Sequence, residues 1–213
     1  NFSVPTGNFG DVYAGYLSKK MGLPIDKLIV ATNQNDILHR AISNGQYKAH
    51  SVVETLSPSM DIQVASNFER LIYDINDQNT DKTSKIMQSI KNEKKYLIEE
   101  KELKKIRKDF VSETISEQEL LSCIKKVYEN YKIIIDPHTA VGLGALEKIN
   151  LVGKSVVLST AHPCKFPEAI KKAINIKSEL PDNLNYILSK KENFIVMNND
   201  IEEVKKYILN KLI

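Results

Sequence analysis

The sequence contains no tryptophan, and it has only two cysteines, eight glycines and seven prolines among 213 residues. So few cysteines exclude a disulfide scaffold, and so little glycine and proline excludes a collagen-like chain. No stretch approaches the roughly 18 uninterrupted apolar residues of a membrane-spanning helix, so no membrane association is expected. Hydrophobic residues make up 42% of the chain, which suits a globular protein of one large domain or two small ones.

The formal net charge is +3, which is too small to predict a nucleic-acid partner. Cys123 and Cys164 are far apart and form no CxxC motif, which favours a reducing compartment, the cytoplasm. Cys164 lies two residues from His162, but no third group is evident that would orient a reactive Cys–His pair. The four histidines lack metal-ligand spacing, so no metal site is expected.

Three zones along the chain differ in composition, and we take them as 1–75, 76–131 and 132–213. The middle zone is highly charged, with ten basic and five acidic residues over 82–109. Its Leu103, Ile106 and Phe110 form one apolar stripe at helical spacing. We interpret it as a charged helical insertion with a solvated lysine-rich face. The alternative, an anion-binding helix, is weakened by the interleaved acidic residues.

The remaining zones alternate short apolar runs with amphipathic segments. This alternation predicts an α/β fold, a three-layer parallel sheet with flanking helices. The predicted strands lie at the N-terminus and at Lys27–Thr32, Lys132–Asp136 and Ser155–Ser159. The predicted helices are Asp11–Met21, Asn35–Ser43, Asn67–Ile75, one starting at Ser116 or Glu117 and reaching Tyr131, His138–Ile149 and Phe166–Ile174, with helix formers between Thr83 and Lys108.

Polar, turn-forming clusters follow the predicted strands. Because ligands of parallel α/β sheets bind at the carboxyl ends of the strands, we expect these clusters to meet at one site. They are Thr6–Asp11, Thr32–Asp36, Asp136–Thr139 and Ser159–His162.

The segment Thr6–Asp11 (TGNFGD) is the best single motif, because it joins a predicted strand to a predicted helix. Two glycines free the backbone to point successive N–H groups into one concavity, and the helix N-terminus adds positive potential, so a phosphate could bind here. It is neither a Walker A loop nor GxGxxG, and an ordinary glycine turn remains an alternative. The Asp11 carboxylate should point away from any bound phosphate.

Two further clusters each allow a chemical and a structural interpretation. A hydroxyl in Ser159–Pro163 could pair with a ring nitrogen, or it could cap the helix that follows. His138 could be an acid–base group, since histidine titrates near neutrality, or it could cap its own helix.

Several segments, in this order along the chain, resemble the threonine synthase family. Ala65 and Cys164 depart from the family pattern, which commonly has proline and alanine there. The matching segments are Val4–Asp11, Ala14–Tyr16, Lys20–Pro24, Ala31–Asp36, Ser57–Ile62, Ser66–Arg70, Asp136–Gly142 and Ser159–Pro163.

The resemblance implies the C-terminal part of a pyridoxal 5′-phosphate (PLP) enzyme of fold type II, the tryptophan-synthase-like type. Such an enzyme converts the small-molecule substrate O-phospho-L-homoserine and water to L-threonine and phosphate. It also implies that Thr160 faces the pyridine nitrogen and that the glycine loop holds the cofactor phosphate, through Gly7, Asn8, Phe9, Gly10 and Asp11.

The resemblance also implies a Schiff-base lysine well upstream of the glycine loop, and the lysines of the matched segments fall at ordinary surface positions of the family pattern. The Schiff-base lysine is therefore expected upstream of Asn1. The chain alone is therefore expected to be inactive, and its oligomeric state, monomer or homodimer, stays open. Two alternatives remain: another fold type II lyase, such as a hydroxy-amino-acid dehydratase, or a non-catalytic anion-binding module.

Overall fold

The computed structural model describes residues 1–212 and divides into two compact units, Asn1–Ser178 and a smaller one that begins at Glu179. The larger unit has strands β1 (Phe2–Pro5), β2 (Leu28–Thr32), β3 (Gln46–Lys48), β4 (Lys95–Leu97), β5 (Phe110–Thr114) and β6 (Val156–Val157). Its helices are α1 (Gly10–Lys20), α2 (Ile37–Asn44), α3 (Phe68–Ile75), α4 (Thr80–Glu93), α5 (Glu100–Asp109), α6 (Glu117–Tyr131), α7 (Pro137–Lys148) and α8 (Pro167–Ile174).

The smaller unit consists of a 3₁₀ segment, Asp182–Ser189, and the helix α9, Ile201–Leu212. Both elements mix exposed apolar and charged side chains. Within residues 1–212, no helix is both long and apolar enough to cross a membrane.

The main sheet has four parallel strands in the order β5-β2-β1-β6. Its central strand β2 has the sequence LIVAT, and all five residues are buried, as expected where helices cover both faces of a parallel sheet. Leu28 and Val30 point into one hydrophobic cluster, and Ile29 and Ala31 point into a second. Strand β2 therefore divides the core into two layers.

Helices cover both faces of this sheet. On one face, the cluster around Leu28 and Val30 takes apolar side chains from α1 to α5. On the other, the cluster around Ile29 and Ala31 takes them from α6, α7 and α8. This arrangement confirms the predicted three-layer α/β fold.

The charged stretch of helix formers between Thr83 and Lys108 is not one helix. Lys94 adopts a left-handed conformation (φ 58°) and ends α4, and β4 then pairs antiparallel with β3, with Tyr96 opposite Tyr47. Leu103 and Ile106 are buried in α5, but Phe110 begins β5, which forms the edge of the main sheet. All three residues of the apolar stripe are therefore buried, but only Leu103 and Ile106 belong to a helix.

The strand predicted at 132–136 is wrong. Helix α6 continues to Tyr131 and ends at Lys132 in a left-handed conformation (φ 57°), and the chain then runs without sheet pairing to Asp136. Asp136 is the N-cap of α7, and its carboxylate accepts hydrogen bonds from the backbone N–H groups of His138 and Thr139. The edge position beside β2 is occupied by β5, which the composition of the charged zone concealed.

Candidate functional site

A polar cleft of about 180 Å³ lies at the carboxyl ends of β1 and β6. Three of the four predicted clusters line it, those around the glycine loop, His138 and Thr160. The fourth, Thr32–Asp36, contributes no lining residue. The lining residues are Pro5, Gly7, Asn8, Asp11, Ser59, Met60, His138, Thr160, Ala161 and Lys165.

The glycine loop offers backbone donors at this cleft. Among the described residues, the N–H groups of Gly7, Asn8 and Phe9 have no hydrogen-bond acceptor. The N–H of Gly10 differs, because it donates to the side-chain Oδ1 of Asn8 at 2.8 Å. Helix α1 begins immediately afterwards, so its positive end and these three N–H groups favour an anion.

Phe9 fixes the shape of this loop. Its backbone is left-handed (φ 70°), a conformation that non-glycine residues seldom adopt. Its ring is fully buried, with centroids 5.2 Å from Phe68 and 5.6 Å from Phe110. Burial of such a ring stabilises the folded state by a few kcal/mol, which outweighs the roughly 1–2 kcal/mol that the left-handed backbone conformation costs. Only the backbone of Phe9 can therefore serve a ligand.

A second segment, Pro58–Met60, folds over Gly7 as a short 3₁₀ turn. A Cβ atom placed on Gly7 would lie 2.7 Å from the carbonyl oxygen of Ser59, closer than real Cβ contacts allow. Only glycine permits this approach of the two backbones.

The predicted cluster Thr32–Asp36 supports this turn from behind. The Oδ1 atom of Asp61 accepts hydrogen bonds from the Nδ2 atoms of Asn33 (2.8 Å) and Asn35 (3.0 Å). The same carboxylate accepts from the side chain and the backbone N–H of Thr55, at 2.7 and 2.9 Å. This buried polar network holds the chain on both sides of Pro58–Met60, and it explains why the asparagines do not line the cleft.

His138 is buried in the wall of the cleft and joins two elements. Its Nδ1 lies 3.1 Å from Oδ1 of Asp136, and its Nε2 accepts the backbone N–H of Ser59 at 3.3 Å. Burial favours the neutral carboxyl of Asp136, but the hydrogen bonds from His138 and Thr139 outweigh it and lower the pKa of Asp136. Asp136 is therefore held as a carboxylate, which can accept a hydrogen bond from His138 Nδ1.

Thr160 follows β6 and is exposed to the cleft. Within the described part of the chain, its hydroxyl makes no hydrogen bond, so it can pair with a ligand. The nearby His162 caps the turn Pro163–Lys165, because its Nδ1 accepts the backbone N–H of Cys164 at 3.2 Å. The imidazole thus serves the backbone of Cys164.

Sequence reasoning did not identify the roles of Ser59 and Asn67 in this site. Both were part of matched segments, but their contacts with the glycine loop are long-range, and no local spacing reveals them. Ser59 covers Gly7, and Asn67 donates to the carbonyl of Asn8.

The cleft can hold a phosphate on backbone donors and a polar aromatic ring beside a hydroxyl.

Comparisons with known proteins agree with this geometry. The profile of the family "Threonine synthase, C-terminal" matches residues 139–208. A threonine synthase from Pseudomonas aeruginosa is 42% identical over 210 residues, which are 97% of this chain and 45% of the relative. One from Saccharomyces cerevisiae is 42% identical over 241 residues, covering 99% of this chain and 46% of the relative.

Among solved structures, the PLP-bound threonine synthase from Brucella melitensis superposes with a TM-score of 0.91 at 42% identity. The match covers 98% of this chain and 45% of that structure. The chain therefore spans slightly less than half the length of the relatives that it matches.

Proposed function

Because the chain belongs to the threonine synthase family, as the counterpart of the C-terminal half of its members, we propose that it holds pyridoxal 5′-phosphate in an enzyme that converts O-phospho-L-homoserine and water to L-threonine and phosphate. The matched relatives are more than twice as long as the matched region. The activity is therefore proposed for the natural protein that contains this chain.

The observation that carries the proposal is the pairing of backbone donors with a hydroxyl across one cleft. Gly7, Asn8 and Phe9 present N–H groups without acceptors, and Thr160 presents a hydroxyl without a partner, within the described residues. A phosphate ester joined to a pyridine ring needs both kinds of contact. When bound, PLP supplies an electron sink that stabilises carbanions.

In this proposal, the glycine loop binds the cofactor phosphate. The N–H groups of Gly7, Asn8 and Phe9 donate to its oxygens, and Gly10 and Asp11 begin the helix whose positive end faces the phosphate. The N–H of Gly10 becomes available only if the Asn8 side chain releases it. Asp11 lines the cleft, so its carboxylate must point away from the dianion when the cofactor is bound.

Thr160 is the proposed partner of the pyridine nitrogen. A neutral hydroxyl does not stabilise a protonated ring as a carboxylate does, so the ring withdraws electrons less strongly. This electronic setting suits replacement at the β and γ carbons and disfavours aminotransferase chemistry.

The proposed location is the cytoplasm, in keeping with the two free thiols of Cys123 and Cys164.

The test is a product analysis of the natural full-length protein loaded with PLP. With O-phospho-L-homoserine, we expect L-threonine and inorganic phosphate in equal amounts. A hydroxy-amino-acid dehydratase would instead release a 2-oxo acid and ammonia from threonine or serine. An anion-binding module would bind phosphate without turnover. Either of these outcomes, with no threonine formed, overturns the proposal.

A further inference from the structure

We propose that His138 is a positioning residue for the cofactor phosphate, acting through Ser59, which it holds against Gly7. The inference rests on the proposed function in one respect: it takes the phosphate in this cleft to be that of PLP. His138 itself does not need to touch the cofactor.

The geometry fixes the role of each ring nitrogen. Since Nε2 accepts the backbone N–H of Ser59 at 3.3 Å, it carries no proton in this arrangement. The proton is then on Nδ1, which donates to the buried carboxylate of Asp136 at 3.1 Å. The carboxylate thus selects the tautomer that leaves Nε2 free to accept.

The opposite side of the Ser59 residue reaches the phosphate loop. The Ser59 carbonyl oxygen lies over Gly7, at the position where any side chain would clash. A hydrogen bond at the N–H of Ser59 therefore sets how closely this residue covers Gly7. The relay runs from Asp136 through His138 and Ser59 to the loop whose Gly7 and Asn8 line the cleft.

The ring has little freedom to leave this position. His138 is 4% exposed, and its ring packs against Phe166 with centroids 4.9 Å apart. Asp136 is itself held by the backbone N–H groups at the start of α7 and by the hydroxyl of Thr139. The N-terminus of α7 thus anchors one end of the relay, and the turn Pro58–Met60 lies at the other end.

Two substitutions separate this role from a purely structural one. His138→Gln keeps an acceptor near the position of Nε2 and loses the donor to Asp136. His138→Asn keeps a donor near the position of Nδ1 and loses the acceptor for Ser59. A role confined to stabilising Asp136 and α7 predicts that Asn is the better replacement. The positioning role predicts that Gln is.

The experiment measures PLP affinity of the natural full-length protein by absorbance titration, for wild type, both variants and the control His50→Asn, an exposed histidine outside the cleft. We expect about five- to tenfold weaker binding for His138→Asn, and less than about twofold for His138→Gln and the control. Equal affinities for the two variants, or the reverse order, overturn the inference.

A measurement on the wild type keeps the inference testable if a variant fails to fold. The ¹⁵N chemical shifts of the His138 ring should report a proton on Nδ1 and none on Nε2, before and after PLP is added. A protonated Nε2 overturns the inference. The proposed function fails independently of this inference if the wild-type protein does not bind PLP or forms no threonine.

Discussion

The main-chain N–H and the side-chain amide of Asn67 both donate to the carbonyl oxygen of Asn8, at 3.0 and 3.2 Å. Asn67 precedes α3, so the start of that helix is fastened to the middle of the glycine loop. The double contact occupies the Asn8 carbonyl, whereas the N–H groups of Gly7, Asn8 and Phe9 have no acceptor among the described residues.

Asn67→Ala should loosen this contact without abolishing it, because the main-chain hydrogen bond remains. We expect a loss of about 0.5–1.5 kcal/mol in the free energy of unfolding and a few-fold loss in PLP affinity. Asn67→Asp should weaken PLP binding further, since a carboxylate cannot donate and repels the phosphate. Titration with PLP checks the order, and equal affinities of all three proteins would contradict it.

Gly7→Ala should disrupt the cradle, because the added Cβ would lie 2.7 Å from the Ser59 carbonyl. Backbone shifts of this kind reduce the free energy of unfolding by about 1–3 kcal/mol. PLP affinity should fall by at least about tenfold. The matched control is Gly144→Ala in α7, where the nearest atoms to the added Cβ belong to the Ile115 side chain, at 3.2 Å or more. Normal cofactor absorbance in Gly7→Ala would refute the assignment of the loop.

Thr160→Asp should change the cofactor absorbance and shift the products away from threonine, because a carboxylate stabilises a protonated pyridine nitrogen. Thr160→Ser keeps the hydroxyl and should behave like the wild type. Spectra and product ratios of the loaded protein provide the measurement. If the Asp variant matched the wild type in both, Thr160 would have no contact with the ring.

Glu119 should contribute a pH-dependent part of stability. Hydrogen bonds from Lys148 and from the backbone and side chain of Ser116 lower the pKa of Glu119 to about 2. Because the folded-state pKa lies below the unfolded one, this contribution is present above about pH 4.5 and disappears as the pH falls towards about 2. The side chain is 43% exposed, so solvent screening limits the effect to about 1 kcal/mol or less.

The test of this pH dependence is urea unfolding of the wild type and Glu119→Gln at pH values from about 6 down to about 3. The difference in unfolding free energy should shrink as the pH falls. The control is Glu129→Gln, since Glu129 has one exposed ion pair, with Lys125, at 3.8 Å. If the difference in unfolding free energy between Glu119→Gln and wild type did not change with pH, the Glu119 carboxylate would make no pH-dependent contribution to stability.

The two cysteines should differ in reactivity towards a thiol reagent. Cys123 is 6% exposed, and burial raises the pKa of its thiol to about 11, so little thiolate is present at neutral pH. Cys164 is partly exposed and should react first. Labelling kinetics of the single variants Cys123→Ser and Cys164→Ser assign the two phases. Faster labelling of Cys123 in the native protein would contradict the described packing of α6.

Local patterns predicted the parts of the fold that depend on local chemistry. The spacing of Gly7 and Gly10 between strand and helix indicated a phosphate loop, and three backbone donors there have no acceptor among residues 1–212. The run Ile133–Ile135 indicated a strand and was misleading. Its β-branched residues suit a sheet, but the left-handed Lys132 directs the chain to the cap of α7 instead.

Contacts between distant residues could not be predicted in this way. The hydrogen bond from Ser59 to His138 spans 79 positions, and no periodicity connects the two segments. Strand β5 was hidden for a related reason, because pairing with β2 stabilises a sequence, FVSET, that is only weakly apolar on its own. Both features therefore depend on contacts between segments that are distant in the sequence.

Phe9 links the cleft to the core, since its backbone directly follows Gly7 and Asn8, which line the cleft, while its ring packs in the core against Phe68 and Phe110. The loop therefore takes its shape when the core packs, before any ligand arrives. A preorganised receptor loses little conformational entropy on binding. The rate of ligand association should accordingly be governed by diffusion into the cleft, with no slow phase for ordering the loop.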